Sequence, residues 1–109
     1  MAETRGTMRK WTDKDYTLRL KGFDFNSVEG IIVTVRQNGT DIFETNSAAV
    51  VSSDTIQFHV TQAQSGALHA HQLAELFVDW YEGGKRDGWG PLKLNVLPNS
   101  PQEERAYGG

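Results

Sequence analysis

Apolar and polar residues alternate with a period of two over several short stretches of this chain. That is the pattern of strands with one face buried and one face in water. In "YTLRLKGF", residues 16–23, Tyr16, Leu18 and Leu20 fall on one face and Thr17, Arg19 and Lys21 on the other. In "IIVTVRQNGTDIFET", residues 31–45, Ile31, Val33 and Val35 point one way, and Asn38-Gly39 follows. Asn and Gly tolerate positive φ best, so this dipeptide predicts a two-residue hairpin turn. The register that follows sets Gln37 against Thr40, Arg36 against Asp41 and Val35 against Ile42. An opposite-charge pair then lies outside and an apolar pair inside, each worth a few tenths to ~1 kcal/mol.

A second hairpin is predicted over "AAVVSSDTIQFHV", residues 48–60, with Ser52 to Asp54 as the turn and Ile56, Phe58 and Val60 inward. Thr61 is placed to cap one short helical turn. The segment 73–84 predicts a strand with Ala74, Leu76, Val78 and Trp80 on its core face and Tyr81 outside. "EGGKRDGWG", residues 82–90, reads as a glycine-rich loop with Trp89 at its tip, and "PLKLNVL", residues 91–97, as a returning strand with Leu92, Leu94 and Val96 aligned. Six or seven short strands joined by tight turns predict an all-β, antiparallel, immunoglobulin-like β-sandwich with at most a short helical turn. The predicted core is Leu18, Leu20, Ile31, Val33, Val35, Ile56, Phe58, Val60, Leu76, Val78, Leu92 and Leu94.

Residues 1–15 are polar and mixed in charge, and read as an N-terminal arm with room for one edge strand. Residues 16–97 form the sandwich domain, and 98–109 read as a flexible tail without core pattern. With 109 residues the chain has enough for one core. It has no cysteine, which excludes disulfides, thiolate chemistry and cysteine-based zinc sites. A net charge of −3 argues against a nucleic-acid partner. No apolar run approaches the ~20 residues of a membrane span. The opening "MAETRGTMRK" lacks the apolar stretch of a signal peptide, so the expected place of synthesis is the cytoplasm.

Chemistry is sparse. His59, His69 and His71 are the histidines, and they read as surface residues rather than metal ligands. No nucleophile elbow or phosphate-binding loop is present. Asp79 and Glu82 would serve as acid and base only inside a cleft. The expectation is therefore no catalysis and no cofactor. The aromatic residues Trp11, Tyr81, Trp89 and Tyr107 are the candidate interface. For Trp80, Tyr81 and Trp89 three readings stay open: closing one end of the core, anchoring a protein interface, or stacking on a glycan. Trp11 is expected to pack on its own sheet edge or on a neighbouring subunit. For Tyr107 a partner and a free tail are equally open.

One resemblance bears on function. "RGT" at 5–7, "LRLKGFDF" at 18–25, "VTVRQNG" at 33–39, "TIQFHVTQAQSGAL" at 55–68 and "AELFVDWYEGG" at 74–84 follow in an order that resembles a group of small proteins encoded in phages and prophages of gram-positive bacteria. The resemblance covers roughly residues 5–97. It implies a β-sandwich component of the virion, assembling with other virion proteins or with copies of itself through arms and β edges. A carbohydrate- or receptor-binding module, with Tyr81 and Trp89 on a sugar face, is the alternative.

Overall fold

A computed structural model of the chain describes residues 5–98. The strands are β1 (Arg5–Arg9), β2 (Lys14–Arg19), β3 (Val28–Gln37), β4 (Thr40–Thr45), β5 (Ala49–Ser52), β6 (Thr55–Val60), β7 (Leu73–Glu82) and β8 (Lys85–Leu97), with one helical turn, α1 (Gln62–Gly66), between β6 and β7. They form a five-stranded sheet in the order β1-β8-β7-β3-β4 and a three-stranded sheet in the order β2-β6-β5. The two inner faces meet in one core, and the fold is an all-β, immunoglobulin-like sandwich.

The Asn38-Gly39 turn forms as its chemistry predicts, with both residues at positive φ (54° and 77°). Gln37 faces Thr40 and Arg36 faces Asp41, and the Arg36 Nε donates to Asp41 Oδ1 at 2.8 Å. The inner pair is different from the expected one. Val35 lies opposite Phe43, not Ile42, because the register shifts between Val35 and Arg36. Ile42 is the extra residue of a bulge, which breaks the alternation assumed on β4. The second hairpin, β5–β6, and the cap at Thr61 are as expected. Thr61 Oγ1 accepts from the Gln64 amide at 3.2 Å, and the Gln64 side chain accepts from the Thr61 amide at 2.9 Å.

Two expectations fail. The strand count is eight rather than six or seven: the edge strand for which the N-terminal arm had room forms as β1, and it runs parallel to β8 in an otherwise antiparallel sheet. Met8, 1% exposed, anchors it in the core. The glycine-rich segment 82–90 is no loop: only Gly83 and Gly84 make the turn, both at positive φ, and the β7–β8 ladder resumes at Glu82 and Lys85. Glycines spread along an exposed stretch had mimicked loop composition. Trp89 therefore sits within β8 opposite Val78 and packs on the core, away from the hairpin tip.

Of the predicted core, Leu20, Ile31, Val33, Val35, Ile56, Phe58, Val60, Leu76, Val78 and Leu94 are buried, and Leu18 and Leu92 are half-buried against them. Phe25 and Leu68 join the core from segments with no strand pattern. The Trp80 ring meets Phe25 edge-on at 5.1 Å and Phe23 at 5.5 Å, closing the core beneath the β2–β3 connection.

Candidate functional site

Trp11 is the candidate most fully absorbed by the chain's own fold. It follows β1 at positive φ (60°), and its ring lies flat against Gly66 at the end of α1, where any Cβ would overlap it. The flanking backbone is latched to the same turn. The Thr12 amide donates to the Ser65 hydroxyl at 3.1 Å, and that buried hydroxyl donates to the Thr12 carbonyl at 3.0 Å. The Lys10 amide donates to the Leu97 carbonyl at 2.9 Å. Trp11 thus packs against its own helical turn, and its ring stays partly exposed. Gly66→Ala is expected to cost about 1–3 kcal/mol by overpacking, although alanine is the better helix former. The same change in a Trp11→Ala background should cost much less. Equal costs in both backgrounds, read by urea denaturation, would show that the ring does not need the glycine.

The aromatic candidates do not converge. Tyr81 is 43% exposed on the outer face of the five-stranded sheet, with its ring over Gly30. Trp89, paired with inward-facing Val78, projects to the opposite face of that sheet. Tyr81 and Trp89 therefore build no common sugar platform. Leu73, at the end of β7 nearest Leu97 and Trp11, lies eight residues from Tyr81, about 26 Å along an extended strand. Tyr107 lies outside the described residues.

The histidines do not converge either. His69 and His71 lie in the connection from α1 to β7, where the His69 backbone binds Gln37 and the His71 amide donates to the Val96 carbonyl at 2.8 Å. His59 is on the three-stranded sheet between Asp13 and Asp15. Among the described residues no group of three or more His, Cys, Asp or Glu is arranged to hold a metal ion. Asp79 faces outward toward Arg86 at 3.5 Å, and Glu82 alternates onto the other face, so they share no cleft.

What the structure does present is an open side of the sandwich. β5 is the edge of the three-stranded sheet and is exposed at all four positions, with Val50 at 40% and Val51 at 60%. Its register shifts between Val50 and Ser52, so Val51 is bulged out of the ladder. In the facing sheet, β4 pairs with β3 only from Val33 onward, leaving Val28–Ile32 without a strand neighbour on that side among the described residues. Between them runs a groove of about 510 Å³ lined by Val28, Ile31, Ile32, Ala48, Val50 and Tyr81, among others. Its apolar side chains and free strand edges are the means of strand addition. The sequence held one unread signal: "AAVV" at 48–51 does not alternate, so no register could bury both valines.

No family model matches the chain, and no curated protein matches it. Solved structures do. The crystal structure of CopC from Methylosinus trichosporium OB3b is similar at 14% identity and a TM-score of 0.55, over 88% of this chain and 86% of that one. A strand-swapped dimer of the extracellular domain of mouse leukocyte-associated immunoglobulin-like receptor 1 matches at 10% identity and a TM-score of 0.39, over 84% and 85%. Extracellular domains 3–5 of Drosophila OTK match at 12% and 0.33, covering 86% of this chain and 33% of that one. At these identities the likeness is one of fold. No helix among the described residues is long and apolar enough to cross a membrane.

Proposed function

We propose that this chain is a non-enzymatic assembly or adaptor protein that works in several copies through its β edges, in the virion setting its sequence resemblance implies. The observation that carries this reading is the open side of the sandwich: an exposed β5 with two solvent-facing valines, beside a stretch of β3 with unpaired edge groups. Backbone groups at such an edge pair with a further strand, and the apolar groove takes that strand's alternate side chains. Monomeric proteins usually blunt such edges with charge, and β5 carries none. Copies of this chain are the partner to test first.

The test is light scattering with size-exclusion chromatography across a concentration series. The parent should associate as concentration rises. A Val50→Lys, Val51→Lys variant should remain monomeric with an unchanged melting temperature, since both side chains are exposed. A parent that is monomeric throughout, or a variant that associates equally, would remove this edge from self-assembly.

A further inference from the structure

His59 projects from the outer face of β6, and both of its ring nitrogens meet carboxylates. Nδ1 lies 2.7 Å from Asp15 Oδ1, directly across the β2–β6 ladder, and Nε2 lies 2.5 Å from Asp13 Oδ1, in the connection between β1 and β2. A neutral imidazole has one N–H, so it can donate to only one of them and turns a lone pair on the other. The imidazolium alone satisfies both. Among the described residues, the neighbouring charges are engaged elsewhere. On β2 the Lys14 ammonium lies over the Tyr16 ring at 5.5 Å, and Arg19 pairs with Asp54 at the far end of the strand. In the connection, the Lys10 ammonium lies over the Trp11 ring at 5.8 Å. The neighbouring β5 and α1 contain no ionisable side chain.

We propose that His59 is a pH-operated clasp: protonated, it holds the β1–β2 connection, and with it β1, against the sandwich, and on losing its proton it releases one carboxylate and loosens that connection. The connection is where this would be felt. It carries the Trp11 ring on Gly66, the Thr12–Ser65 latch and the Lys10–Leu97 hydrogen bond. β1 itself is an edge strand, held by β8 on one side only.

The two carboxylates, Asp15 foremost through its hydrogen bond, hold the His59 pKa above the usual histidine value of 6.5. The folded protein therefore binds this proton more tightly than the unfolded chain does. The stabilisation is complete below the unfolded value, near pH 6.5, and is lost as pH rises through the higher folded one. The clasp is closed on the acid side and open on the alkaline side. Its ions are exposed, so added salt should weaken it.

The experiment is an NMR titration of the His59 ring together with amide exchange at Lys10 and Thr12, corrected for intrinsic base catalysis. His59 should titrate above the ordinary histidine range, and protection at both amides should fall over the same interval. In Asp13→Asn, whose side chain is exposed, His59 should titrate lower and the loss of protection should move down with it. Titration of His59 in or below the ordinary range, or protection that stays constant while His59 titrates, would overturn the proposal.

Discussion

Phe25→Ala is expected to lower the free energy of unfolding by about 3–5 kcal/mol, the range for truncating a buried phenylalanine. Phe25 is 1% exposed and meets the face of the cluster closed by Trp80 and Phe23. Truncation would remove the edge-to-face contact with Trp80 and leave a cavity beneath a short connection. Its backbone amide, which donates to the Ser53 carbonyl at 2.7 Å, stays in place, so the loss measures the side chain. Phe25→Leu should recover a large part of the stability. Urea denaturation with an unchanged slope is the measurement, and a midpoint equal to the parent's would mean that the ring is not part of the core.

The second large effect is expected at Gln37. This side chain is 2% exposed on the inner face of β3, and it is the hydrogen-bonding partner of the α1–β7 connection. Its Nε2 donates to the His69 carbonyl at 2.9 Å and the Gln72 carbonyl at 3.2 Å, while its Oε1 accepts from the His69 amide at 2.7 Å. Gln37→Leu keeps the volume and abandons all three groups. An abandoned buried group costs about 1–3 kcal/mol. The abandoned His69 and Gln72 backbone groups belong to residues that are themselves exposed, so water takes up part of the loss and the expected total is about 2–4 kcal/mol. The His69 amide should lose its exchange protection at the same time. A variant as stable as the parent would show that water replaces the glutamine without cost.

These two residues mark where sequence reading reaches its limit. The Asn38-Gly39 hairpin and the opposed faces of Trp80 and Tyr81 depend on turn chemistry and period-two alternation, which are local properties. Gln37 stood in plain view as a polar residue continuing the inward series Ile31, Val33, Val35. Its partners, however, are backbone groups more than thirty positions away, which no pattern announces. Phe25 was hidden because Asp24 and Asn26 give its segment the composition of a break. β1 was legible only as an edge strand for which the N-terminal arm had room, because a parallel edge strand with a single buried side chain needs no periodicity of its own, only a partner. The pairing of His59 with Asp15 likewise exists only once β2 and β6 are in register. Of the four aromatic candidates, Trp11 packs partly on α1 and Trp89 partly on the core. Tyr81 is left on the surface, at the rim of the open groove.

The parallel pairing of β1 with β8 also sets how the domain carries load. Arg5 lies beside Lys93 and Arg9 beside Leu97, and residues 89 positions apart are still bonded where Arg9 reaches the Pro98 carbonyl. If the two chain ends are drawn apart, β1 is pulled toward its Arg5 end and β8 toward its Leu97 end. The forces run along the strands in opposite directions, so the slanted hydrogen bonds of the parallel ladder are sheared together instead of being peeled one by one. An antiparallel hairpin such as β3–β4, pulled at its open end, would unzip. Tension applied through both ends would therefore be met in shear along the β1–β8 ladder.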